Sequence, residues 1–323
     1  MRAAVLHIPG APPRFGDHPD PEPGPGQTLV RVLAAPVVPL DLLCASGTSY
    51  FGTPTVPYVP GVQGVGVVER SGVHPPGSRV WFVTSAGMAP GDGSLAELAV
   101  AADDDVVAVD PDLPAPLVAA LGLSAVAAWM ALSWRAGLRP GERVLVLGGG
   151  GAVGQAGIGA SRALGAARVV AVARSAQAQD RARASGADVV VPMTDDVAEL
   201  TARLAEAAGG EVDVVLDPVF GPAATAACRL LAPGGRLVNL GGAAGDEAVL
   251  SSAVLRSRSA SVLGYTNNAL TPQQRREAFG AVLRQASAGL VTVAHQTRPL
   301  ADVAAAWRAP APGEASPRVV LLP

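Results

Sequence analysis

The stretch Arg143-Val144-Leu145-Val146-Leu147-Gly148-Gly149-Gly150-Gly151-Ala152-Val153-Gly154 decides the fold. Its opening, Arg143–Gly148, is a near-continuous apolar run of strand length, and Val153–Leu164 behind it reads as a helix. Between them Gly149-x-Gly151-x-x-Gly154 fits a dinucleotide-binding turn. Glycine is common here, at 38 residues, so the spacing gains its weight from context: a strand before, a helix after, and a second strand at Arg168–Ala173. In that frame Gly149 allows the tight turn, Gly151 lets backbone approach a pyrophosphate, and Gly154 lets helix and strand pack closely. Ala152 and Val153 open the helix, whose N-terminal N–H groups face the phosphates with partial positive charge. The competing reading is a glycine loop with a purely structural task.

The end of the second strand selects the cofactor. An NAD site wants an acidic residue there to accept from the ribose hydroxyls. This chain has Ala173-Arg174-Ser175. No carboxylate is present to repel a 2′-phosphate, while a guanidinium and a hydroxyl are placed to bind one. The expected cofactor is therefore NADPH, with Arg174 as a solvated strand end the alternative.

Outward from this unit, strands and helices alternate. Strands are expected at Asp188–Val191, Val212–Asp217, Arg236–Leu240 and Ser261–Tyr265, with helices at Ala176–Ser185, Val197–Ala208 and Ala223–Leu231. A shorter helical link is expected around Val249–Leu255. Six apolar strands with helical crossovers predict a Rossmann-type doubly wound parallel sheet, an α/β fold. Roughly the first 110 residues instead show short strands broken by Pro and Gly, the pattern of a small β-barrel-like domain. Past Tyr265, a helix at Pro272–Ala288, a strand at Val291–Gln296, a helix at Ala301–Trp307 and a strand at Arg318–Leu322 are expected to return to that domain. The expected division is 1–117 with 267–323 as one domain and 118–266 as the other.

Composition removes several classes. The 323 residues are 49% hydrophobic and 16% charged with a net charge of −3, which suits a globular chain and gives no basic footprint for nucleic acid. All 24 basic side chains are arginine, so Schiff-base chemistry on a lysine of this chain is excluded. Cys44 and Cys228 are too few for a disulfide scaffold or a zinc knot and suit a reducing, cytoplasmic setting. His7, His18, His74 and His295 show no metal-ligand spacing. The N-terminal MRAAVLHIPG reads as a strand and not a leader. The uncharged run Leu113–Trp134 is rich in small residues and is read as a buried helix over Leu117–Leu138, not a membrane span.

Motifs spread over the chain resemble the zinc-independent medium-chain dehydrogenase/reductases of the quinone oxidoreductase and enoyl reductase branch. They include MRAAVL at the start, Pro21-x-Pro23-Gly24-Pro25-Gly26, Pro60-Gly61 before Gly64-Val65-Gly66-Val67-Val68, and Pro140-Gly141-Glu142-Arg143-Val144-Leu145-Val146. Asp217-Pro218-Val219, Pro233-Gly234-Gly235-Arg236-Leu237-Val238 and Arg318-Val319-Val320-Leu321 complete the set. The resemblance implies a GroES-like β domain beside the Rossmann domain. It adds Asp217 and Gly241 to the expected cofactor-binding residues, and it implies a homodimer paired through Ala260–Tyr265.

Departures from the family pattern bear on chemistry. Zinc-dependent relatives carry Gly-His-Glu where this chain has Gly61-Val62-Gln63, and their catalytic cysteine falls at Val38. Valine cannot ligate a metal, so no metal site is expected. Val38 also stands where quinone oxidoreductases usually have asparagine, and Ala127 where a threonine often lies near the nicotinamide. The leading reading is an NADPH-dependent reductase passing hydride to a small-molecule conjugated carbonyl, a quinone or an α,β-unsaturated ketone. Tyr50 is the candidate donor to the acceptor oxygen, on the resemblance of Ser46-Gly47-Thr48-Ser49-Tyr50 to a Ser-Gly-x-Tyr segment; Ser46, Tyr265, Asn267 and Asn268 are weaker candidates. The alternatives are a nucleotide-binding protein with little redox turnover and a biosynthetic tailoring reductase with a bulky substrate.

Overall fold

Valine-containing runs build the sheet of the second half, and the central ones are buried on both faces. In the computed structural model, which describes residues 1–110, 112–308 and 316–323, these runs are β1 (Arg143–Val146), β2 (Arg168–Ala173), β3 (Val189–Pro192), β4 (Val212–Asp217), β5 (Leu231–Asn239) and β6 (Ser261–Gly264). All pair in parallel, in the order β3-β2-β1-β4-β5-β6. The helices between them are α1 (Ala152–Ala163), α2 (Ala176–Ala184), α3 (Val197–Ala208), α4 (Gly221–Cys228) and α5 (Ser252–Ser257). Local chemistry fixes several of their ends. Asp196 caps α3 by accepting from Ala198 and Glu199 N–H, and Gly209 closes it in the left-handed conformation. Leu145, Leu147, Val170, Leu200, Leu204 and Val215 form the centre of the core.

The chain divides into two units: Met1–Gly122 with segments returning from His295 and from Pro317 to Pro323, and Leu123–Ala294. The sequence reading ends the sheet unit at 266. The structure carries it to Ala294 because α6 (Pro272–Ser287) and the residues behind it pack on α1. Gly159 of α1 has no room for a side chain against Leu290 and Val291, and Ala294 N–H donates to Gln155 Oε1 at 2.9 Å. The strand expected at Val291–Gln296 starts later, as His295–Pro299.

The other unit is built around the strand Gln27–Pro36, which pairs with Gln63–Arg70, Leu98–Ala102 and Arg318–Leu322 in a seven-stranded, largely antiparallel sheet. His295–Pro299 joins it parallel to Arg318–Leu322, while Arg2–Val5 pairs with Arg14–Asp17 as a separate ribbon. Its core is formed by Leu6, Val30, Val80, Phe82, Leu95 and Leu321.

The helix expected over Leu117–Leu138 departs from regularity twice. Ala115–Met130 is broken at Gly122 (φ 31°, ψ −135°), where the Gln63 side chain fills the space a Cβ would take. It then ends in a π-helical turn, Ala131–Arg135. Residues 115–135 are long and apolar enough to cross a membrane, but 72% of an apolar 18-residue window within them is buried inside the protein, the mark of a core helix.

Candidate functional site

The glycine turn lies at the carboxyl end of β1, beside β4, where the strand order reverses. Gly149 N–H donates to Val172 O at 2.8 Å and Gly151 N–H to Gly148 O at 3.0 Å. Most of these glycines are demanded by protein packing. A Cβ at Gly149 would sit 2.8 Å from that of Ala171, and one at Gly154 would sit 2.7 Å from Gly149 Cα. Gly151 differs: the nearest atom to its Cβ position is Gly148 O at 3.4 Å, an ordinary contact. Packing within the protein does not require glycine there, so the bare position leaves room for a group from outside. Gly151 is also the N-cap of α1 and has no side chain to cap with. The first-turn N–H groups of Ala152, Val153 and Gly154 therefore need an acceptor from elsewhere, and an anion fits them.

At the end of β2, Ala173 is buried and Arg174 exposes half of its side chain. Ser175 caps α2, its Oγ accepting from Ala178 N–H at 3.3 Å, which leaves the hydroxyl proton free to donate. The expected pair is thus brought together at a solvent-facing strand end. One feature missed in the sequence is an anionic neighbour: Arg174 Nη2 stands 3.9 Å from Asp195 Oδ1. The local sequence Ala173-Arg174-Ser175 carries no trace of it, because Asp195 arrives from the turn after β3.

Asp217 corrects an expectation. Read as a cofactor contact, it has no exposed surface. Its Oδ1 accepts from Val219 and Phe220 N–H at 3.0 and 2.7 Å, and Asn239 Nδ2 donates to Oδ2 at 3.2 Å. Burial pushes its carboxyl above the ordinary carboxylate range, and these donors oppose the shift. Asp217 therefore shapes the turn that holds Phe220 at φ 57°. That turn borders the glycine loop, since a Cβ on Gly148 would lie 2.7 Å from Val219 Cγ1. Gly241 packs on the same turn, its Cβ position 2.8 Å from Pro218 O.

In the first unit, Val38 is buried at the N-cap of the helix Pro39–Ser46. Asp41 Oδ2 accepts from Val38 N–H at 2.8 Å and Asp41 Oδ1 from Val62 N–H at 2.9 Å. Burial pushes the Asp41 carboxyl up to about 6, against those two donors and the charge of Arg318. Arg318 in turn is pulled down to about 10 by its own burial, with Asp41 resisting. Gln63 Oε1 accepts from Trp81 Nε1 at 3.1 Å. Among the described residues no three His, Cys, Asp or Glu side chains gather as a metal site.

Tyr50 is 78% exposed, its ring 4.3 Å from that of Phe51. Ser46 Oγ is paired with Thr48 Oγ1, while Tyr265 donates to Asn267 Oδ1 at 2.7 Å and Asn267 Nδ2 donates to Leu123 O. Ala127 is buried. The sequence reading missed Tyr58, which is buried and borders a cavity of about 430 Å³ with Phe51, Pro57, Met88 and Asp92. Burial, with Asp41 and Cys44 nearby, pushes its phenol well above the usual range. The only hint in sequence is an aromatic residue directly before Val59-Pro60-Gly61.

Residues 24–111 match the family model described as the alcohol dehydrogenase GroES-like domain, and residues 152–286 match that of the zinc-binding dehydrogenases. The quinone oxidoreductase of Sus scrofa is 31% identical over 226 residues, 68% of this chain and 66% of that protein, so the chain spans about two thirds of this relative. A phenolphthiocerol/phthiocerol polyketide synthase subunit of Mycobacterium tuberculosis is 30% identical over 308 residues, covering 91% of this chain and 13% of the synthase. Among solved structures, the quinone oxidoreductase of Thermus thermophilus, described together with its NADPH complex, is 30% identical with a TM-score of 0.80 and covers 100% of both chains.

Proposed function

The chain belongs to the medium-chain dehydrogenase/reductase superfamily, in its quinone oxidoreductase-like branch, and from that premise we propose an NADPH-dependent, zinc-independent reductase of a conjugated carbonyl. The observation that carries the reading is the second unit's pair of anion sites. Uncapped N–H groups at Ala152–Gly154 suit a pyrophosphate, and Arg174 with Ser175 suits a 2′-phosphate. A relative matched over the whole of both chains is described in complex with NADPH, which supports the same cofactor here. When bound, that cofactor supplies the hydride.

The remaining work falls to the chain's own groups. Gly151 leaves space for the diphosphate, and the turn pinned by Asp217 walls it on one side. The side chains of Val38 and Val62 offer no lone pair to a metal, and the neutral Gln63 amide, whose Oε1 accepts from Trp81, does not replace a thiolate, imidazole or carboxylate ligand. Polarisation of the acceptor therefore rests on a hydrogen bond, which is enough for a quinone or enone already activated by conjugation. Tyr50 is the proposed donor, with Tyr58 at the cavity wall as the second phenol of this unit.

The test is titration with NADPH and NADH followed by turnover with quinones and enones. Tighter binding of NADPH, with its oxidation by at least one acceptor, is expected. The likeness to part of a polyketide synthase keeps larger biosynthetic enones in the screen. Tight binding without oxidation would favour a nucleotide-binding protein with little turnover, a reading that the apolar Val38 and Ala127 support.

A further inference from the structure

Four consecutive glycines, Gly148–Gly151, form the kind of backbone that loses most freedom on ordering. In the folded chain the carbonyl of Gly150 is held twice. Arg181 Nε donates to it at 3.0 Å from the middle of α2, and Gln155 Nε2 donates at 3.0 Å from α1. The orientation of the Gln155 amide is set at its other end, where Oε1 accepts from Ala294 N–H. On the far side of the same peptide, Gly151 N–H donates to Gly148 O at 3.0 Å. The planar Gly150–Gly151 unit is thus fixed at both polar ends. Helix α2 also backs the turn directly, since a Cβ on Gly150 would fall 2.6 Å from Ala178 Cα.

We propose that Arg181, assisted by Gln155, is a positioning residue for the cofactor's pyrophosphate. It acts through the Gly150 carbonyl and sets the direction in which Ala152, Val153 and Gly154 present their N–H groups. This rests on the dinucleotide-binding reading above. Without Arg181 the ligand must order the glycines itself, so affinity falls for every ligand that carries a pyrophosphate. A ligand held only through its 2′-phosphate at Arg174 keeps its affinity.

Calorimetric titration of the full chain with NADPH, NADH, ADP and 2′-AMP tests this on wild type, Arg181→Met and Arg181→Lys. Arg181→Met is expected to weaken NADPH, NADH and ADP alike by about tenfold, the weight of one charge-assisted hydrogen bond. It should leave 2′-AMP within about twofold, and Arg181→Lys should recover part of the loss. Unchanged ADP affinity overturns the proposal, and so does an equal loss of 2′-AMP, which would mark general loosening of α2. Failure of wild type to bind both NADPH and ADP would sink the dinucleotide reading itself, and the proposal with it.

Discussion

The Arg174 guanidinium stands 3.9 Å from the Asp195 carboxylate, so the group proposed to meet a 2′-phosphate already has an anionic neighbour. Asp195 is 92% exposed, which makes the pair weak and easily exchanged for a ligand phosphate. Arg174→Ala should weaken NADPH by roughly 1.5–3 kcal/mol and NADH far less. Asp195→Asn should tighten NADPH by at most about 1 kcal/mol, since an exposed pair contributes no more. Equal losses for both cofactors in the arginine variant would show that Arg174 does not touch the 2′-phosphate.

Zinc content is expected to be far below one atom per chain, because valines stand at positions 38 and 62 and Gln63 bonds Trp81. Elemental analysis of chelator-free protein is decisive, and stoichiometric zinc would overturn the zinc-independent reading.

Asp41 makes a pH prediction. Its folded carboxyl titrates at about 6 and its unfolded one near 3.8, so between those values the folded state holds more protons. Its contribution to stability is therefore greatest in acid and is lost as pH rises through this window, at a slope of at most roughly 1.4 kcal/mol per pH unit. Denaturation of wild type and Asp41→Asn from pH 4 to pH 7 checks the sign. The stability of wild type relative to the variant should fall with rising pH up to about 6 and then level off.

Changing Tyr50 to Phe keeps the ring and removes one donor. NADPH affinity should hold, while kcat falls by roughly one to three orders of magnitude if the phenol meets the acceptor oxygen in the transition state. A normal kcat in this variant, with the loss appearing in Tyr58→Phe, would move the role to the buried phenol.

The Rossmann sheet ends at β6, whose residues Ser261 and Val262 are exposed at a free edge. Such an edge invites pairing with a second copy. A homodimer is expected by light scattering at micromolar concentration, and Val262→Pro should shift it toward monomer. A wild-type monomer would count against the pairing.

The sheet was legible because β1, β2 and β4 are buried on both faces and so read as unbroken apolar runs. Gly154 was legible because its demand, the close approach of Gly148 and Gly149, is local to one turn, and Gly149 because its spacing to Gly154 marks that turn. Arg181 and Gln155 were not, since side chains bonding a carbonyl 31 residues away or an N–H 139 residues away leave no periodic signature. Asp217 misled for a related reason: a carboxylate at a strand end reads the same whether it faces a ligand or its own turn. The unit boundary slipped because the buried face of α6, Ala278, Phe279 and Val282, says that the helix packs without saying on what. The break at Gly122 depends on Gln63, 59 residues upstream, and no helical pattern anticipates it.

The strand Arg318–Leu322 has a consequence for synthesis. Leu321 pairs with Ala35 and Val320 with Pro36, partners that leave the ribosome nearly three hundred residues earlier. Every strand of the parallel sheet lies between Arg143 and Gly264, so that unit can close while the edge at Ala35 still waits for its neighbour. The half of the chain made first is thus finished last. In the interval its open strand is the place where a nascent chain would recruit a chaperone or pair wrongly with another copy.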